Sequence, residues 1–285
     1  MAAPISVDDD EIVLHRNKNC NATIRRYGAT VISWVSAGKQ RLFLSEEAHL
    51  KNNKAIRGGI PLVFPNFGPW KLGPQHGFAR IKMWNLETDP VKESNGDLKA
   101  VFSLEDDEET RKMWNYRFKL EYTVVLQEKS LLTSLKIINR SASFFDFTCL
   151  LHTYLLVPEV TDTVVSGLKG LKYIDKVKYS EECEEDRTEV VVNEHTDRIY
   201  IDSRGEHEIR YAENGKQTIV NLSKSNLPDT VLWNPWNEKA KQMSDFGDDE
   251  YRIMLCVEAG RVNQPIALAA GQEYLVSQKL TLKEH

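Results

Sequence analysis

The segment KLEYTVVLQEKSLLTSLKIIN, residues 119–139, places an apolar side chain at every second position through Leu120, Tyr122, Val124 and Leu126. Helical side chains recur about every 3.6 residues, so a period of two suits a half-buried strand and not a helix. Glu128-Lys129 interrupts the run and a second strand follows to Asn139, which predicts a hairpin. HEIRYAENGKQTIVNLS repeats the pattern around Asn214-Gly215, a pair suited to the positive φ angles of a tight hairpin turn. Further strands are expected around 11–16, 22–36, 41–44, 100–104, 146–157, 188–193, 198–202, 230–233, 252–258 and 273–282. LEDDEETRKMW, residues 104–114, reads as a helix with acidic residues in its first turn, and a short helix is expected near 46–51. The acidic stretch 180–189 reads as a solvated loop. Many strands with regular turn signals predict an all-β chain, a large antiparallel β-sandwich with one or two short helices. With no repeat and no Pro/Gly/Ser-rich linker, residues 1–285 are expected to form a single domain.

Charge and cysteine use narrow the function classes. Net charge is −5 with no basic block, which argues against nucleic-acid binding. No apolar run reaches transmembrane length and the first residues lack a signal-peptide pattern, so neither a membrane partner nor secretion is expected. Cys20, Cys149, Cys183 and Cys256 show no CxxC spacing. They read as reduced thiols of a cytoplasmic protein rather than as disulfides or a zinc site. The histidines are too dispersed to indicate a metal site, and DFGDDE lacks the EF-hand pattern.

Several side chains stand out chemically. TCLLHTYLL places His152 on an apolar strand, on the same face as Thr148, Leu150, Tyr154 and Leu156. A core histidine bonded to the backbone and a proton-transfer group both fit that position. A Cys149–His152 nucleophilic dyad does not, because a strand turns the two to opposite faces. RIMLCVEAG reads as an apolar strand ending at Glu258, with Gly260 free to turn beyond it; the carboxylate is either a solvent-facing terminus or a shielded base. AIRGGIPLVFPNFG holds Arg57 beside two glycines, which permit close approach of the backbone to a neighbour. The spacing is not that of a phosphate loop. PQHGFAR offers Gln75, His76 and Arg80 on a loop, HTDRIY offers Asp197, and VLWNPWNEK offers Trp233 and Trp236, a pair that suits core as well as sugar stacking.

Together YGATVISW, RGGIPLVFPNFG, PQHGFAR, LLHTYLLV, LPDTVLWNPW and CVEAG resemble, in order, the glucose-6-phosphate 1-epimerases of the aldose 1-epimerase superfamily. The resemblance implies a galactose-mutarotase-like sandwich and interconversion of hexose 6-phosphate anomers. It implies His152 as general acid and Glu258 as general base. It also implies Arg57, Gln75, Arg80 and Asp197 as substrate-binding residues. The expected partner is a small hexose 6-phosphate, bound by a monomer. Hemiacetal opening needs one proton removed from the C1 hydroxyl and one delivered to the ring oxygen, so no metal or redox cofactor is expected. An ionised Glu258 beside a protonated His152 would serve as the starting pair. The family often has Glu-Pro-Gly where this chain has Glu258-Ala259-Gly260, which bears on the expected turn. The alternative from another class is a catalytically inactive sugar-phosphate-binding regulatory protein on the same fold. A glycosidase would call for paired carboxylates, and a mutarotase of unphosphorylated sugars would not need the two arginines.

Overall fold

The computed structural model describes residues 5–7, 10–50 and 54–284. Its paired strands are antiparallel and form sheets of five, nine and eight strands. The 119–139 hairpin forms as expected: Phe118–Leu126 pairs with Ser130–Asn139, and Tyr122 faces Leu135. His207–Glu213 and Lys216–Ser225 form the second hairpin, with Asn214 and Gly215 at φ 53° and 75°. Both hairpins belong to the nine-stranded sheet, where Glu273–Glu284 joins them edge to edge.

The eight-stranded sheet carries the chemistry. Its order runs Glu181–Glu184, Lys172–Asp175, Thr196–Tyr200, Asp229–Asn234, Met254–Leu268, Phe145–Leu151 and Leu62–Val63, with Tyr154–Leu156 also paired to Met254–Leu268. Alternation divides its residues between two environments. Leu151, Leu232, Leu255, Val257 and Ala259 pack with Leu120, Tyr122 and Val124 of the nine-stranded sheet in one large core. Each leucine or valine among them, fully buried, is worth about 1.5–3 kcal/mol. Leu150, Val231, Tyr154 and Cys256 fall instead into smaller clusters on the opposite face. That second face is where polar groups can gather without interrupting the main core.

Several local expectations need correction. The run 22–36 is two strands, Cys20–Arg25 and Thr30–Ser36, and 41–44 holds only isolated bridges at Leu42 and Leu44. The run 146–157 breaks at 152 and 153, so His152 lies between the strands Phe145–Leu151 and Tyr154–Leu156 and not on one. Residues 46–50 make a turn, not a helix, and residue 51 lies outside the described residues. The helix expected at 104–114 is Glu108–Met113, because Leu104 and Glu105 complete the strand Leu98–Glu105. Asp107 caps it, accepting from the Thr110 amide at 2.7 Å. The acidic stretch is not all loop: Glu181–Glu184 pairs with Lys172–Asp175, and the Lys172–Glu182 ion pair at 2.8 Å spans the two strands. Glu185 beside it is buried, held by the Tyr200 hydroxyl and Arg187. Finally, Glu258 does not end its strand. Met254–Leu268 continues straight through Ala259 and Gly260, which pair with Thr230 and Asp229. No turn is present for a proline to stiffen.

Candidate active site

Register places the two proton-transfer candidates side by side. Leu151 pairs with Ala259 and Tyr154 with Cys256, so His152 lies across from Glu258 on the neighbouring chain segment. Ladder bonding is open at this point. The His152 amide donates to the Pro61 carbonyl at 3.0 Å and the Tyr154 amide to Gly59 at 2.9 Å. His152 Nδ1 lies 3.5 Å from Glu258 Oε1, and both side chains are at least nine-tenths buried. Tyr154 stacks flat on the imidazole, with ring centres 4.6 Å apart, and Trp233 meets it edge-on at 6.1 Å. The ring is therefore held in orientation from two sides.

These groups open onto a cavity of about 460 Å³, ample for a sugar phosphate. All six residues singled out as catalytic or binding candidates line it: Arg57, Gln75, Arg80, His152, Asp197 and Glu258. The arginines are positioned differently. Arg57 Nη1 donates to the Tyr154 hydroxyl at 3.1 Å, and Nη2 to both carboxylate oxygens of Asp245 at 3.3 and 3.2 Å. Arg80 Nη2 donates to the Gln75 carbonyl at 2.9 Å, while its buried Nε has no hydrogen-bond partner. Asp197 pairs with Lys176 at 3.2 Å.

The glycines beside Arg57 have a structural use. Gly58 and Gly59 adopt φ of 130° and 66°. A Cβ on them would lie 2.5 Å from the Phe43 carbonyl oxygen and 2.1 Å from that of Val31. The close approach they permit is to neighbouring backbone, which seats Arg57 at the cavity wall.

Electrostatics push the central pair toward neutrality. Burial, with His76, Arg80 and Arg57 nearby, holds His152 well below the ordinary imidazole range. Burial, reinforced by Asp197 and opposed by Lys176 and Arg80, lifts the Glu258 carboxyl well above the usual carboxylate range. The free site thus does not favour the ionised-Glu, protonated-His pair expected from the sequence. His76 is pushed down to about 3 by burial and by Arg80, Lys176 and Arg57. Its Nδ1 accepts from the Gly68 amide at 3.2 Å, which matches a neutral ring. Arg80 is lowered to about 10 by burial, with Arg57 beside it.

Other cavity residues were not picked out by sequence. Phe67, His195 and Lys239 line it from within the segments AIRGGIPLVFPNFG, HTDRIY and VLWNPWNEK, where other residues drew the reading, and Lys176 and Met243 line it from outside any such segment. Lys176 lies 5.3 Å over the Phe67 ring. Trp233, which sequence left between core and sugar stacking, lines the cavity; Trp236 packs against Tyr251. Asp245 and Tyr154, which hold Arg57, become legible only when residues 57, 154 and 245 are brought together.

Comparison with known proteins supplies the family. The family model described as aldose 1-epimerase matches residues 10–281. A protein of Cenchrus ciliaris named "Putative glucose-6-phosphate 1-epimerase" is 38% identical over 272 residues, covering 93% of this chain and 82% of its own. One of the same name from Escherichia coli K12 is 30% identical over 261 residues, covering 90% and 85%. A crystal structure from Salmonella typhimurium, described as "a putative mutarotase (YeaD)", superposes with a TM-score of 0.88 at 28% identity, covering 99% of this chain and 93% of the other. The galactose 1-epimerase of Lactobacillus acidophilus NCFM shares the fold at 16% identity, with a TM-score of 0.75 and coverage of 98% and 97%. An antiparallel sandwich, a matched family model and relatives aligned over most of their length lead to one assignment: the chain belongs to the aldose 1-epimerase family.

Proposed function

We propose that this chain interconverts the α and β anomers of hexose 6-phosphates, chiefly D-glucose 6-phosphate, without a cofactor. The observation that carries the reading is an imidazole and a carboxylate 3.5 Å apart in a sugar-sized cavity that also holds two arginines. Glu258 takes the C1 hydroxyl proton while His152 gives a proton to the ring oxygen. The bond between C1 and the ring oxygen breaks as the C1 carbonyl forms. C1 then rotates about the C1–C2 bond, and both transfers reverse to close the ring on its other face. His152 Nδ1 faces Glu258 and Cys256, which leaves Nε2 for the sugar. Each placed proton-transfer group is worth roughly 10²–10⁴ in rate.

The electrostatics suit the open-chain stage. Ring opening converts an ionised carboxylate and an imidazolium into a neutral acid and a neutral imidazole. Burial favours that uncharged pair, as the directions of both pKa shifts indicate. The acyclic sugar is therefore accompanied by the pair that the site holds most comfortably.

Arg57 and Arg80 are assigned to the 6-phosphate, where a planar donor fork can grip two oxygens. Asp197 and Gln75 are assigned to sugar hydroxyls. We propose further that the enzyme is a single-domain monomer. The four cysteines are unpaired, in keeping with the cytoplasm, and among the described residues no helix is long and apolar enough to cross a membrane. Anomer exchange followed by NMR, with glucose 6-phosphate, glucose and galactose compared and spontaneous mutarotation subtracted, tests the reading. Acceleration confined to the phosphorylated sugar is expected. No acceleration with any of them would reject it.

A further inference from the structure

Cys256 has no part in the proton transfers, yet it stands beside them. It lies two residues before Glu258 on one strand, so the two side chains share a face. His152 completes the group from the neighbouring segment. Cys256 Sγ lies 3.9 Å from His152 Nδ1, and Nδ1 lies 3.5 Å from Glu258 Oε1. One thiol, one imidazole nitrogen and one carboxylate oxygen all fall within 4.8 Å of one another, and all three residues are buried. The second carboxylate oxygen, Glu258 Oε2, is buried with no hydrogen-bond partner. An acceptor left bare in such a place calls for a proton or a cation.

We propose that His152, Cys256 and Glu258 form an inhibitory site for a thiophilic divalent cation of the zinc class, for which metal and hexose compete. Tetrahedral zinc holds nitrogen and oxygen ligands at about 2.0–2.2 Å and sulfur at about 2.3 Å. Such bond lengths set neighbouring donors roughly 3.3–3.7 Å apart. The 3.5 and 3.9 Å spans need adjustment by only a few tenths of an ångström, and the span from thiol to carboxylate, which lies within 4.8 Å, closes by up to about 1 Å on binding. His152 and Glu258 line the cavity and Cys256 does not, so an ion reaches the group from the cavity side. A thiolate in the set selects against magnesium and calcium. Thiolate and carboxylate together cancel the charge of a divalent ion, which offsets repulsion from Arg57, Arg80 and Lys176 in the same cavity.

On binding, the Cys256 thiol releases its proton to solvent and Glu258 releases any it holds, while His152 binds as neutral imidazole. Affinity should therefore rise with pH. A bound ion would occupy the nitrogen and oxygen that face each other across the pair, and the acid–base cycle would stop. The inhibition rests on the epimerase reading above; the ligand geometry does not.

The test uses the full chain stripped of metal, with cobalt(II) and zinc(II) as probes. Cobalt should give one equivalent of a tetrahedral visible spectrum with a thiolate charge-transfer band, and zinc should displace it. The band should vanish in Cys256→Ser and in Cys256→Ala, and survive Cys183→Ser, which removes the more exposed thiol. Zinc should stop anomer exchange, chelator should restore it, and saturating glucose 6-phosphate should protect. With each variant normalised to its own metal-free rate, Cys256→Ser should need at least about tenfold more zinc, since even residues outside the ligand shell are worth ~10–100-fold in metal affinity. If both Cys256 variants misfold, zinc protection of Cys256 from alkylation, read by peptide mass, decides the matter. Absence of the band in the wild-type chain, its persistence without Cys256, or no protection would overturn the site. A chain that shows the band but never exchanges anomers would keep the cation site and reject the epimerase reading.

Discussion

Removing the Arg57 guanidinium does two separable things. It takes a charged donor from the cavity, and it strands Asp245, whose side chain is only 12% exposed. Losing a hydrogen bond to a charged group costs about 1.5–3 kcal/mol. For Arg57→Ala that predicts a loss in kcat/KM on glucose 6-phosphate of roughly 10- to 150-fold, at 1.4 kcal/mol per decade. The unpaired Asp245 carboxylate would add repulsion toward the phosphate and lower thermal stability. Arg57→Ala combined with Asp245→Asn removes that second effect, because an amide needs no counter-ion. The double variant should regain stability and part of the activity, but not the preference for phosphorylated sugar. Arg57→Lys, with one point charge instead of a fork, should recover only part of the loss. Anomer exchange by NMR on glucose 6-phosphate and on glucose, with circular dichroism as a folding check, reads all three variants. Equal loss on both sugars, or full recovery of glucose 6-phosphate turnover in the double variant, would refute phosphate recognition by Arg57.

The chemistry and its pH dependence give three further expectations. His152→Ala and Glu258→Gln should each slow exchange by at least about 10², the lower bound for a general acid or base, while still binding sugar phosphate by calorimetry; near-normal exchange in either would remove its assignment. The pH profile of kcat/KM should be a bell broader than free groups at 4.5 and 6.5 would give, because the pair titrates together with Glu258 raised and His152 lowered. Once phosphate ionisation is allowed for, limbs confined between those two values would contradict it. Glu258→Gln should also stabilise the fold. With the folded pKa raised, the native chain holds more protons than the unfolded one above about 4.5, so this group's contribution falls as pH rises. The melting-temperature gain over wild type should widen from pH 4 to about 7, and a gain that shrinks would have the wrong sign.

Strand identity was legible wherever one face meets the core and the other meets water. The hairpins around Glu128-Lys129 and Asn214-Gly215 have that alternation. Lys172–Asp175 and Glu181–Glu184 do not, because they pair at a polar edge of the sheet, where register rests on cross-strand charge instead of burial. The end of the Glu258 strand was misplaced because glycine reads as punctuation, whereas Gly260 stays in the ladder with Leu150 and Val262 packed near its Cα. Site residues were visible through motif resemblance, and the cavity gathers all six. Lys176 and Asp245 were not, since their roles arise from contacts with Asp197 and Arg57 on distant segments. Nor could the sequence give the direction of the Glu258 and His152 shifts, which depends on burial and on cations brought in from elsewhere.

The facing positions of His152 and Glu258 bear on how such an enzyme can change over evolutionary time. The distance between acid and base is set by the ladders that flank His152 on either side, Phe145–Leu151 and Tyr154–Leu156 against Met254–Leu268, whose spacing is about 4.8 Å. The residues that intervene in sequence can lengthen, shorten or exchange their turns and so redraw the part of the cavity wall that Lys176 and Lys239 line. None of that alters the proton-transfer gap. A single residue inserted in Phe145–Leu151 or in Met254–Leu268 would do the opposite, shifting register and turning a catalytic side chain toward the core. Substrate preference and chemistry are thus inherited on separate parts of the chain, one tolerant of insertion and the other intolerant of even one.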